Sequence, residues 1–275
     1  MRRWIAALTV GVVVAGSMAA TSAEALPIAP QPATPVTGIP TPCVSTVAFP
    51  ADASIDEVKA GLEQNFGFKL AGKQWTKANS EPIKILWETL DAMECTSYRT
   101  ALQSKVSGQV GINAGSISGY AWGDWSLTKG GYVTMDFSKF QGAIESGDEG
   151  RLTRLVAHEL AHVLNSDRDS NPDYWRAFKK VYAKQGRFSD YAGRSITETF
   201  ADVVGYYVGR CALDNPYNTG KYDAYYEYAK TYIFGGKEFG PAPGEALNCT
   251  VPSEGAEAPM PGSQIPDWLQ GLSGE

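Results

Sequence analysis

The stretch from Leu152 to Asn165, LTRLVAHELAHVLN, constrains this chain more than any other. Leu155, Val156, Leu160, Ala161, Val163 and Leu164 recur at the spacing of a helix that must be buried. The same helix carries three polar groups, His158, Glu159 and His162, on or near one face. Residues four apart stand one above the other on a helix, so both imidazoles point at one spot. Glu159 lies about 100 degrees round from His158, close enough to reach a water held at that spot. The chain has two histidines in all, and both are here. The ordinary alternative is a pair of buried histidines satisfied by backbone carbonyls, but it leaves the glutamate unexplained. The pattern predicts a buried metal-binding helix.

The ends of the chain bound where that helix can sit. The first residues, MRRWIAALTVGVVVAGSMAATSAEA, combine two arginines, an apolar run from Ile5 to Ala15 and small residues ending at Ala25. This is the pattern of a secretory signal peptide over residues 1–25, cleaved near Ala25 and releasing the chain outside the cell or into the envelope. The apolar run is short and broken by Gly11 and Gly16, so a stable membrane anchor is not expected. Residues 26–42 carry prolines at 27, 30, 32, 35, 40 and 42 and read as an extended spacer. Residues 241–275, rich in Pro and Gly, read as a tail. The 198 residues from 43 to 240 are enough for one domain with a sizeable core.

Removing residues 1–25 leaves 22 basic against 29 acidic residues, a net charge of about −7. That balance argues against nucleic acid or an anionic membrane as the main partner. Four cysteines remain, Cys43, Cys95, Cys211 and Cys249, none with CxxC spacing. In an exported protein an even count predicts disulfides, and four cysteines allow three pairings. We expect Cys43–Cys95 and Cys211–Cys249, each tethering a terminal arm.

Within the domain, Ser54-x-x-Glu57 is a capping box that opens a helix to about Asn65, which Gly67 and Gly72 close. Apolar spacing and Pro82 predict a helix over 82–94 and a further helical piece toward Lys105. Between Val106 and Phe137 the pattern changes to short alternating runs, with strands expected at 109–113 and 132–137. These strands predict a small, twisted, mostly antiparallel sheet packed on the 152–165 helix. Beyond it the chain turns helical again. Asn171 and Pro172 open one helix that Gly186 ends, Ser195 opens another, and a tyrosine-rich helix runs over about 221–234. The fold expected is α+β, with an upper part over about 43–165 and a mainly helical lower part over about 166–240.

The His-Glu-x-x-His arrangement is that of zinc hydrolases, whose catalytic zinc takes three protein ligands and keeps one position open for water. With no third histidine, the third ligand must be a carboxylate or an exogenous group. In one pattern it comes six residues after the second histidine, but Arg168 stands there, with Asp167 and Asp169 out of register. In the other it is Glu198 of Ser195-Ile-Thr-Glu-Thr-Phe-Ala-Asp202, with Asp202 one turn on to receive the free N–H of a ligand histidine. Ser195-x-x-Glu198 is also a capping box, which offers Glu198 a purely local use.

HELAH followed by ETFAD resembles the gluzincins, zinc peptidases whose third ligand is a glutamate. Ser189-Asp-Tyr-Ala192 is similar to the segment of lethal-factor-type catalytic domains in which a tyrosine stands seven residues before that glutamate. The resemblance covers about residues 80–235 and is specific from Leu152 to Val208. Thr199 and Asp202 depart from it, since those relatives commonly carry an aromatic residue and a glutamate there; Asp202 matches the thermolysin-like form instead. The resemblance implies a zincin-like fold and one Zn2+ on His158, His162 and Glu198. It implies a zinc-activated water with Glu159 as general base, Tyr191 as a hydrogen-bond donor to the oxyanion, and Asp202 behind a histidine. The protein expected is a secreted, monomeric zinc metalloendopeptidase acting on peptides or proteins. The competing expectation is a secreted binding protein on a zincin scaffold, with metal but little turnover.

Overall fold

The computed structural model describes residues 47–106, 110–125, 132–193 and 195–246. The expected signal peptide, spacer, Cys43, Cys249 and most of the tail lie outside the described residues. So does one partner of each expected disulfide, while neither Cys95 nor Cys211 is a free thiol.

The fold is α+β. Eight α-helices and a small mixed sheet make up its regular structure among the described residues. Helix α1 (Ile55–Phe66) starts at the complete capping box of Ser54 and Glu57 and ends at Gly67 in the left-handed region, φ 72°. Helices α2 (Ser80–Met93) and α3 (Tyr98–Lys105) follow a first strand, β1 (Lys69–Gly72). Strands β2 (Gly111–Ala114), β3 (Gly123–Trp125) and β4 (Tyr132–Met135) lead to α4 (Phe137–Glu145) and α5 (Glu149–Leu164). Then come α6 (Asp173–Gln185), α7 (Ile196–Val208) and α8 (Asp223–Tyr228), the last continued by a π-helical turn, Ala229–Ile233.

The sheet corrects the expected strand directions. Its order is β1-β2-β4-β3, with β1–β2 and β2–β4 parallel and only β3–β4 antiparallel. The cause is connectivity: α2 and α3 lie between β1 and β2, and a helical crossover returns the chain in the same direction. All four residues of β2 are buried, as befits a parallel strand covered on both faces, whereas β4 alternates. The stretch read as closing the first helix contains β1. The expected strand at 132–137 stops at Met135, because Phe137, Phe140 and Ala143 form the buried face of α4.

Two further local readings change. Asn171 does not cap α6; it sits in the left-handed region with φ 53°, and Pro172 takes the N-cap position. Its side-chain oxygen instead accepts from Lys179 Nζ at 2.7 Å. The chain is also packed a little past Gly240, since the Pro241 carbonyl accepts from Arg210 Nε and Nη2 at 3.2 and 3.1 Å.

Helix α5 is the centre of the core. Asp148 caps its N-terminus, and residues from Leu152 to Leu164 are buried on almost every side. Its most extensive helix contact is with α7. Gly205 makes that approach possible: a Cβ there would lie 2.8 Å from the Arg154 carbonyl oxygen and 3.1 Å from His158 Cβ. Helix α5 also packs on β3 and β4, so the sheet and α7 meet over the same two turns.

Candidate metal centre

Three donors converge where α5 and α7 cross. His158 Nε2 and His162 Nε2 stand 3.2 Å apart, and Glu198 Oε2 lies 3.3 Å from the first and 3.5 Å from the second. Donors held tetrahedrally at the 2.0–2.1 Å usual for zinc with nitrogen and oxygen ligands stand about 3.3–3.4 Å apart. The donor set therefore fits an ion of that size, and among the described residues His158, His162 and Glu198 form a group that could hold a metal.

Helix geometry produces the two histidines: their rings lie 4.9 Å apart at 84°, one turn apart on α5. Glu198 comes from the first turn of α7. Ser195 caps this helix by accepting from the Glu198 N–H at 3.2 Å, but its own N–H donates to the Ala192 carbonyl. Only the serine half of the capping box has formed, and the Glu198 carboxylate turns to the imidazoles.

Asp202, fully buried one turn further on, accepts from His158 Nδ1 at 2.8 Å. That bond leaves Nε2 as the ring nitrogen that faces the centre. The Asp202 carboxylate also takes the Arg154 guanidinium and the Ser189 hydroxyl. Arg154 in turn lies over the rings of Tyr191, 5.2 Å away, and Tyr206, 4.7 Å away.

Glu159 is 5% exposed and lies under the edge strand β3. A Cβ on Gly123 would come 2.6 Å from Glu159 Cδ, so glycine is what lets the strand pass over this carboxylate. Two residues on, the Trp125 ring stacks on His162 at 6.3 Å and 14°. Tyr191 is exposed, with its ring edge-on to His158 at 5.7 Å.

Asp167, the alternative acid, is turned elsewhere. It pairs with Lys105 and accepts from the Tyr174 hydroxyl at 2.6 Å.

The electrostatics are those of a cation-seeking pocket. Burial and Arg154 oppose a charge on His158, yet the bonds it donates to Asp202 and Glu198 outweigh them and raise its pKa to about 9. The same two histidines hold the Glu198 carboxyl well below its usual range. Burial pushes the Glu159 carboxyl above its usual range. Burial, then Glu198 and Glu159, push Tyr191 to about 12, so its phenol is a donor at neutral pH.

Every site residue expected from the sequence lies in this one cluster. Arg154, Ser189 and Trp125 were not foreseen. Arg154 had a signal, since 154, 158 and 162 share one helix face and a buried arginine there needs a carboxylate. Trp125 had none, because only the sheet brings it to His162. No protein-family model matches the chain, no curated protein matches it, and no solved structure matches it.

Proposed function

We propose that the chain is a secreted zinc-dependent metallopeptidase of the gluzincin type, similar to the lethal-factor-type catalytic domain in a zincin-like fold. The observation that carries this reading is the triangle of His158, His162 and Glu198 donors, 3.2–3.5 Å on a side, with Glu159 buried beside it. A zinc ion held there would supply Lewis acidity and make a water acidic enough to lose a proton near neutral pH.

The chain's own residues account for the rest. Glu159, with its raised pKa, takes the proton of the attacking water and later delivers it to the leaving amine. The Tyr191 phenol donates a hydrogen bond to the carbonyl oxygen as it gains charge, a contact worth about 3 kcal/mol in comparable sites. Asp202 fixes the His158 tautomer, and Arg154 and Ser189 hold Asp202. Strand β3 lies at the sheet edge over Glu159, where an extended peptide can pair with it. The signal-peptide pattern of residues 1–25 supports export. No helix among the described residues is long and apolar enough to cross a membrane.

The test measures metal content and cleavage of a proteome-derived peptide library, with and without chelator. The purified protein is expected to carry one zinc and to cleave peptides in a chelator-sensitive way. Glu159→Gln should keep the metal and lose hydrolysis, whereas Glu198→Ala should lose both. Cleavage retained by Glu159→Gln, or full zinc content in Glu198→Ala, overturns the reading.

A further inference from the structure

An open cleft of about 300 Å³ lies beside the candidate site. Phe188, Tyr206 and Tyr222 wall it. Tyr191 belongs to both cleft and site, with one ring on the cleft lining and 5.7 Å from that of His158. This volume is at the small end of ligand pockets, the size for one side chain and not for a cofactor.

Several ion pairs of the described residues border the cleft. Arg154, behind Tyr191 and Tyr206, is held by the buried Asp202. Arg187 pairs with Asp190 at 3.0 Å. Arg151 is shared, 3.1 Å from the buried Asp148 and 3.8 Å from Asp214. In these described ion pairs three guanidinium groups face four carboxylates, and Asp214, with the longest contact and a side chain 52% exposed, is the least neutralised. Asp214 lies at the wall with Tyr206, close enough for its charge to act on the phenol. A weakly paired, exposed carboxylate among aromatic faces attracts a cation twice, by its charge and by the ring quadrupoles.

We propose that this cleft binds the cationic side chain of a lysine or arginine flanking the scissile bond, with Asp214 as the specificity determinant. The proposal rests on the peptidase reading, because Tyr191 then places the cleft next to the reacting carbonyl. Specificity comes from Asp214 together with the Tyr206 and Tyr222 rings.

The test uses peptides identical except for lysine, norleucine or glutamate at one position, scanned along both sides of the cleaved bond. At one position the wild type should favour lysine over glutamate by about tenfold or more in kcat/KM. Asp214→Asn should cut the lysine-to-norleucine ratio about fivefold, and Asp214→Lys should reverse the lysine-to-glutamate order. Because each ratio compares two substrates on one enzyme, partial misfolding cancels. A second arm titrates agmatine into the full-length protein, with and without chelator, following tyrosine resonances. Agmatine should bind in both conditions, and Asp214→Asn should weaken it about fivefold. Agmatine binding that depends on Asp214 without any peptide cleavage sustains the cationic cleft and removes the peptidase reading. Cleavage with ratios unchanged in both variants, or absence of Asp214-dependent agmatine binding, overturns the cleft.

Discussion

Gly205 is the most direct handle on how the fold sets the candidate metal centre. Replacing it with alanine adds one methyl group between α5 and α7. That carbon would lie 2.8 Å from the Arg154 carbonyl oxygen and 3.1 Å from His158 Cβ, where ordinary contacts begin at 3.4 Å, so the helices must part by about 0.6 Å. The obstacle is backbone and the stem of His158, neither of which can swing aside. Overpacking of this kind costs about 1–3 kcal/mol, while alanine returns about 1 kcal/mol of helix propensity. The net loss of stability is then under about 2 kcal/mol, a fall in Tm of at most about 8 °C for a domain of this size.

Metal binding is far less tolerant. Ligand distances must hold within about 0.2 Å, and α5 carries two donors of the triangle while α7 carries the third. Gly205→Ala is therefore expected to weaken zinc affinity about 10–100-fold, as loss of a ligand's support does elsewhere, in a protein that still folds. Competition with a chromophoric chelator gives the affinity, and a thermal melt in excess EDTA gives the stability. Val204→Ala is the control: it empties space on the fully buried side of α7 and costs about 2 kcal/mol without forcing the helices apart. Wild-type affinity in Gly205→Ala, or an equal loss in Val204→Ala, refutes the claim that helix separation sets the site.

Three other expectations are open to test. Asp202→Asn strips Arg154 of its carboxylate partner in the core, where Arg154 Nε already has no hydrogen-bond acceptor; the melt should show a loss of about 3 kcal/mol or more. Gly123→Ala drives a methyl group into the Glu159 carboxylate, so cleavage should fall about 100-fold while zinc content stays at one per chain. Burial pushes Asp136 up, but bonds from Ser138, the Ile117 N–H and Gln74, with Lys139 nearby, outweigh it and hold its pKa below the ordinary value. A depressed folded pKa stabilises above the unfolded value of about 4, and the gain is lost as pH falls through the folded value. Wild type should thus exceed Asp136→Asn by about 2 kcal/mol at pH 6 and by much less at pH 3, by urea denaturation; a constant difference rejects this.

Helices were legible in the sequence where a local signal repeats over several turns. Helix α5 was fixed by apolar periodicity with two histidines on one face, and α1 by Ser54 and Glu57. Glu198 and Asp202 could be paired because one turn separates them on a helix. The sheet was not legible. Strands of three or four residues carry too little alternation to set register, and whether neighbours run parallel depends on what connects them. Lys69–Gly72 gave no strand signal between two glycines that read as helix terminators. Residues such as Trp125, supplied to the site by an edge strand, were invisible for the same reason.

Ser195-x-x-Glu198 is one pattern that serves either a helix cap or a metal ligand. The chain contains its own comparison. At α1 the reciprocal box is closed, and the Ser54 N–H donates to Glu57 Oε2 at 2.8 Å. At α7 the corresponding Ser195 N–H is taken by the Ala192 carbonyl at 3.0 Å, through the turn that also carries Tyr191. That backbone bond replaces the one Glu198 would have accepted, so turning the carboxylate away leaves no donor unsatisfied. The serine hydroxyl still caps the helix by itself. Residues 189–193 thus do two things at once: they free Glu198 for the imidazoles, and they set Tyr191 beside His158 and Ser189 beside Asp202. A capping box at the start of a candidate ligand helix is therefore no argument against ligation when the preceding turn can satisfy the serine N–H. Replacing Ala192 with proline tests the point, because it deletes the Ala192 N–H bond to Ser189 Oγ that holds the turn and restricts its backbone: Glu198 should be drawn back into the box, with loss of metal and little loss of helix.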